Sequence, residues 1–239
     1  MITMSLAPAT LPAGQRVYAV GDVHGCAARL AAMHALIRED IASRPVAEPT
    51  LLHLGDYIDR GEDSAGVLAR LLRPWPAAPA PRVINLMGNH EEMMLTAIDV
   101  ADGDSVQHWL SNGGANALAS WGVSPRGNSA DWRHQIPADH LAWLRGLSLF
   151  HRQGGYVFVH AGVRPGLPMQ KQTRQDMLWI REPFLSSKGE LPGVVVHGHT
   201  PARTATVRPN RIGVDTGAVM GGPLTCVVLE ADRLGFLHA

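Results

Sequence analysis

The sequence predicts an α/β fold in which two mixed sheets pack face to face, interrupted by a mostly helical insertion. Three observations carry this expectation. Through residue 98, apolar runs of strand length alternate with amphipathic segments of helix length. A tryptophan-rich stretch of different character, residues 100–149, then breaks the alternation. Strand candidates resume at residues 156–159 with short connections, which fits a second sheet better than one open sheet.

Residues 17–20 are the first buried-strand candidate and end at Gly21-Asp22. Leu30, Met33, Ile37 and Ile41 follow at spacings of three and four, one stripe of a helix. Residues 50–54 end at Gly55-Asp56, and residues 64–72 turn Val67, Leu68, Leu71 and Leu72 inward on a short helix. The proline-rich run 74–81 cannot be helical and is a connection. Residues 82–87 end at Gly88-Asn89, and residues 91–98 continue as a helix. Three strand–helix units in succession favour parallel pairing with right-handed crossovers. Ligands of open α/β sheets gather beyond the carboxyl ends of such strands.

Residues 100–149 hold Trp109, Trp121, Trp132 and Trp143, expected to pack a small core, with a substrate-contacting rim as the sharper alternative. The later candidates, residues 156–159, 194–196, 211–214 and 224–230, are expected to pair antiparallel because their connections read as short. Residues 1–15 are expected to form a short tail and residues 16–239 a single domain.

The 239 residues are 46% hydrophobic, enough for a sizeable core. Lys+Arg and Asp+Glu balance at 21 each, which gives no reason to expect a nucleic-acid partner. Two cysteines, Cys26 and Cys226, make no disulfide framework and are expected as thiols in a reducing cytoplasm. Residues 1–15 have neither the basic start nor the apolar centre of a signal peptide. No apolar run approaches the roughly 20 residues that span a bilayer, so no membrane partner is expected.

The chemistry lies in five short polar motifs beside glycine, most of them closing an apolar run. They are Gly21-Asp22-Val23-His24-Gly25, Gly55-Asp56-Tyr57-Ile58-Asp59-Arg60-Gly61, Gly88-Asn89-His90-Glu91, His160-Ala161-Gly162 and His197-Gly198-His199-Thr200. Asp22 and His24, two apart at a strand end, point the same way and can reach one cation. The two oxygens of Asp56 can bridge two metals about 3.5–4 Å apart. Asn89 offers an amide oxygen, and His160 and His199 offer imidazoles. A carboxylate, amide and imidazole set without thiolate favours manganese, iron or zinc in an expanded shell over a structural zinc site. Asp59 is placed to hydrogen-bond an imidazole, and Arg60 presents a fork suited to phosphate oxygens. His90 lies near the metals yet is free to act as a general acid, oriented by a carboxylate. Glu91 opens a helix and reads as structural. Spacing alone does not choose between His197 and His199 as a ligand.

In this order and spacing, Gly-Asp-x-His-Gly, Gly-Asp-x-x-Asp-Arg-Gly and Gly-Asn-His-Glu resemble the phosphoprotein phosphatase branch of the calcineurin-like metallophosphoesterases, particularly the small bacterial and phage serine/threonine phosphatases. The match runs from about Arg16 to about Thr225. The resemblance implies a four-layer α/β/β/α sandwich with a dinuclear centre at the sheet edge, holding two divalent ions, manganese first and iron or zinc as alternatives. By position, Asp22 and His24 would bind the first metal, Asp56 would bridge, and Asn89, His160 and His199 would bind the second. His90 would be the acid, with Asp59 as its partner, and Arg60 would clamp phosphate. A second arginine is expected after a late tryptophan, and Leu178-Trp179-Ile180-Arg181 makes Arg181 the candidate. The family places its ligand in Gly-His-Thr, which selects His199. Pro201 stands where many distant relatives carry a further histidine, in keeping with the phosphoprotein branch.

The expected activity is phosphomonoester hydrolysis on a phosphorylated protein or peptide, or a small phosphoester, by direct attack of a metal-bridging hydroxide. One rival is hydrolysis of symmetrical dinucleoside polyphosphates. Relatives with that activity typically replace the Asp of Asp-Arg-Gly with Ala and follow Asn-His with Asp, so Asp59 and Glu91 favour the phosphoprotein branch. A second rival, an inactive phosphatase-like binding protein, would have lost ligands, and here all six and His90 are present. Oligomeric state is left open by the sequence.

Overall fold

A computed structural model describes residues 2–239. In chain order the strands are β1 (Ser5–Leu6), β2 (Gln15–Val20), β3 (Glu48–His53), β4 (Arg82–Asn85), β5 (Phe150–Gln153), β6 (Tyr156–Val159), β7 (Val194–His197), β8 (Thr206–Val207), β9 (Arg211–Gly213), β10 (Thr225–Glu230) and β11 (Arg233–His238). The helices are α1 (Ala27–Ser43), α2 (Ser64–Leu71), α3 (Asn89–Asp99), α4 (Gly103–Trp109), α5 (Ala115–Ser120), α6 (Ser129–Gln135), α7 (Ala138–Arg145) and α8 (Arg174–Trp179). A six-stranded sheet runs β1-β11-β10-β2-β3-β4 and a five-stranded sheet runs β5-β6-β7-β9-β8.

Strand alternation decides which residues fill which layer. Val17 and Ala19 of β2, with Val227 and Leu229 of β10, face Tyr156, Phe158, Val194 and Val196 of the other sheet. Tyr18, Val20, Cys226 and Val228 face the opposite way, onto Leu30, Met33 and Ile37 of α1. Beneath the second sheet, Val157, Val159 and Val195 pack on Met177 and Ile180. The result is the expected four-layer α/β/β/α sandwich.

As expected, β2 pairs parallel to β3 and β3 to β4. The antiparallel expectation for the later strands needs correction. β6 pairs parallel to β7 and β7 to β9. The segment from β6 to β7 carries α8 and crosses over instead of turning back. Antiparallel pairing does hold for β10 with β11 and with β2. Among the first fifteen residues, Ser5–Leu6 pair with Leu234 and Arg233 at the sheet edge. Residues 100–149 are helical and lie in the same apolar cluster as α1 and α3: Trp109 and Trp132 meet edge to face at 5.8 Å inside it. Among the described residues, no helix is long and apolar enough to cross a membrane. Both cysteines are free thiols, Cys226 buried and Cys26 half-buried.

Two buried histidines, His34 of α1 and His53 at the end of β3, bring their Nε2 atoms within 3.0 Å. Burial pulls His53 down to about 4, and burial, His53 and the nearby Arg70 and Arg38 lower His34 to about 2. The unfolded chain takes up these protons near pH 6.5 and the folded chain does not, so stability falls as pH drops from about 6.5 toward 4. The His53→Gln variant is expected to lose about 3 kcal/mol less than wild type between pH 7 and pH 4. Urea titrations at the two pH values check this; parallel losses would contradict it.

Candidate active site

The carboxyl ends of β2, β3, β4, β6 and β7 bring the motif residues together. Two groups of possible metal-holding side chains form there: His24, Asp56 and His90, and Asp56, His160 and His199. Asp56 belongs to both. Its Oδ2 lies 3.4 Å from His24 Nε2 and its Oδ1 lies 3.4 Å from His160 Nε2. Asn89 Oδ1 stands 2.9 Å from both His160 Nε2 and His199 Nδ1. Asp22 lies beside these groups and outside both, its carboxylate accepting from His199 N at 3.1 and 3.2 Å.

Ring protonation shows what these atoms need. His24 Nδ1 donates to Ile58 O at 2.9 Å and His160 Nδ1 donates to Leu54 O at 3.0 Å. Each Nε2 is therefore a lone pair. The His160 Nε2 lone pair faces Asn89 Oδ1 and Asp56 Oδ1, the latter also accepting from His90 N at 3.1 Å, and a cation reconciles these acceptors. Burial lowers the affinity of His24, His160 and His199 for protons, bringing His24 and His199 to about 3, so the rings are neutral and fit to ligate. Burial alone would raise Asp56, but the surrounding histidines, His160 foremost, hold it below the usual carboxylate range. Burial, Asp215 and Asp56 push Asp22 well up. The donor set fits divalent ions.

His197 is not brought into either group. Its ring meets Phe184 edge to face at 5.0 Å, while His199 reaches Asn89.

The backbone is bent to make this approach. Of seven non-glycine residues with positive φ, five are His24, Asp56, Asp59, Arg60 and His199. Such concentration marks a site held by its surroundings. Two glycines permit the contact: a Cβ on Gly198 would strike the Asp22 carboxylate, and one on Gly88 would strike Asp56.

Glu91 holds the corner from below. Its Oε2 accepts from Asp56 N and Gly88 N, both at 2.8 Å, and its Oε1 accepts from Tyr57 N at 2.7 Å and Ile58 N at 3.3 Å. Burial and the Asp56 charge push Glu91 upward, and the N–H groups on both oxygens oppose that shift and favour the carboxylate. Both oxygens must accept, so Glu91→Gln turns an amide donor onto N–H groups. A loss of about 2–4 kcal/mol in denaturant unfolding is expected, and an unchanged midpoint would contradict the bracing role.

His90 Nδ1 lies 2.7 Å from Asp59 Oδ2, and His90 Nε2 lies 4.0 Å from Asp56 Oδ2. Burial pushes Asp59 up and His90 down. The Trp109 indole donates to both Asp59 oxygens at 3.0 Å, which favours leaving the shared proton on His90 Nδ1. The Arg60 guanidinium donates to His24 Nε2 at 2.9 Å, and its backbone is gripped by the insertion: Arg60 N donates to Gly113 O, and Asn116 Nδ2 to Arg60 O. Arg181 is exposed, and its charge bears on His199. Among the described residues it pairs with neither Glu182 nor Asp176; Arg164 takes Asp176 at 2.6 Å.

Sequence reasoning passed over Trp109 as a contact to Asp59, and Asp215. Asp215 is buried near Asp22, accepts from Gly217 N at 3.0 Å, and is raised by burial and by Asp56. It too sits beside glycine after an apolar run, in Ile212-Gly213-Val214-Asp215-Thr216-Gly217.

The chain belongs to the calcineurin-like phosphoesterase family, whose model matches residues 15–230. It is 32% identical to serine/threonine-protein phosphatase 1 of Salmonella typhimurium over 90% of this chain and 93% of that protein. It is also 32% identical to the symmetrical bis(5'-nucleosyl)-tetraphosphatase of Methylococcus capsulatus, over 76% of this chain and 51% of that protein. The crystal structure of a proposed diadenosine tetraphosphatase superposes with a TM-score of 0.66 at 25% identity, covering 97% of this chain and 98% of that one. The protein is thus a hydrolase of the metallophosphoesterase class.

Proposed function

We propose that the protein is a serine/threonine phosphoprotein phosphatase. The observation that carries this reading is the buried His90–Asp59 pair at 2.7 Å. An alkoxide of serine or threonine leaves poorly without a proton, and an imidazole held by a carboxylate supplies one. Asp59 occupies the position where the resemblance assigns alanine to tetraphosphatases. Near full-length coverage of a protein phosphatase also supports it.

Asp22, His24 and Asp56 would hold one divalent ion, and Asp56, Asn89, His160 and His199 the other. When bound, such ions lower the pKa of water and neutralise phosphoryl charge. Arg60 and Arg181 would bind and orient the phosphoryl oxygens. His90 Nε2 would hold the proton destined for the departing oxygen, while Asp59 and Trp109 fix the ring. The names of the M. capsulatus relative and of the superposed structure support a second reading, cleavage of dinucleoside tetraphosphates.

Turnover of a phosphothreonine peptide and of diadenosine tetraphosphate, measured side by side with manganese, tests the choice. A higher kcat/KM on the peptide is expected. Preference for the dinucleotide would overturn the phosphoprotein reading.

A further inference from the structure

A separate cavity of about 440 Å³ opens on the helical side of the six-stranded sheet at its β4 edge. It is walled by α1, the end of α2 and the proline-rich loop. Its charged lining is wholly basic: Arg38, Arg70 and Arg73, with no acidic residue. Among the described residues none of these three is ion-paired, whereas Arg16, Arg44, Arg145, Arg164 and Arg174 all hold carboxylates. Guanidinium groups gathered at one cavity repel each other unless an anion is shared among them, and their planar forks match phosphate oxygens in pairs.

The floor of the cavity is neutral and fixed. His53 Nδ1 meets Asn85 Oδ1 at 2.8 Å and His53 Nε2 meets His34 Nε2 at 3.0 Å. With Nδ1–H donating to Asn85, the proton between the rings belongs to His34. Half-buried Trp75 stands against this floor, its ring 5.3 Å from that of His34. It offers an aromatic wall beside the cations.

We propose that this cavity binds a nucleotide, with its phosphates on Arg38, Arg70 and Arg73 and its base against Trp75. The volume lies within the roughly 300–1,000 Å³ of small-molecule sites. The cavity is distinct from the candidate metal-holding groups. Tyr57 lies between them, its ring 6.3 Å from that of His53 and its backbone N–H on Glu91.

The test is calorimetric titration of the holoenzyme with adenosine 5′-(α,β-methylene)diphosphate, whose bridging carbon resists hydrolysis. Saturable binding is expected. Arg73→Ala and Trp75→Leu, both at accessible positions, should each weaken it tenfold or more, with p-nitrophenyl phosphate turnover unchanged. Arg70→Ala should weaken it similarly. The double variant Arg60→Ala/Arg181→Ala should bind as wild type. Absence of binding, or unchanged affinity in Arg73→Ala and Trp75→Leu, overturns the proposal. Loss confined to the Arg60/Arg181 double variant places the ligand in the metal site and also overturns it. Inorganic pyrophosphate binding as tightly as the analogue would refute recognition of the base.

Discussion

Asp56→Asn is expected to lower bound metal from about two ions per chain to fewer than one, and turnover by about 10³-fold or more. Asp56 is the residue common to both candidate groups, with one oxygen turned to His24 and the other to His160. An asparagine keeps a single acceptor and turns an NH₂ donor toward the other set, where it opposes a cation. Elemental analysis after gel filtration reads the stoichiometry, and circular dichroism confirms that the sandwich is intact. Retention of both ions at wild-type affinity would sink the shared-carboxylate reading.

His90→Asn should instead leave metal content near wild type and act selectively on chemistry. Turnover of a phosphoserine peptide is expected to fall about 10²–10⁴-fold, the usual worth of a positioned acid. Turnover of p-nitrophenyl phosphate should fall about tenfold or less, because nitrophenolate departs without a proton. Trp109→Phe, which removes the indole donor from Asp59, should shift both substrates in the same sense and by less. Equal losses on the two substrates in His90→Asn would remove the acid role.

Much of this candidate site could be read from the sequence because its polar residues stand at strand ends, where ligands of α/β sheets gather. Asp22, Asp56, Asn89, His160 and His199 each stand within two residues of a glycine at or near the close of a strand, and β2, β3, β4, β6 and β7 bring those closes together. Residue type and position then suffice. Asp215 follows the same grammar after β9, but without a neighbouring histidine it did not register as part of a constellation. The Trp109–Asp59 contact could not be read: the two are 50 residues apart, and the indole comes from a helix with no local mark of function. The direction of the later strands was obscured for a different reason. Pairing sense depends on whether the chain turns back or crosses over, and the long β6–β7 connection, residues 160–193, carries only one short α-helix, α8, and so resembles loop.

The hold of the insertion on the Asp59–Arg60 corner constrains any redesign of the insertion. One side chain, Trp109, and two backbone-directed contacts from Gly113 and Asn116 clamp this pair from outside the sheet. Swapping loops to redirect selectivity would therefore misplace the Arg60 guanidinium, the proposed phosphate clamp, unless the graft carries residues 109–116 together with their docking corner. Exposed positions farther out, such as Arg133 on α6 and Asp139 on α7, can be exchanged without touching that corner.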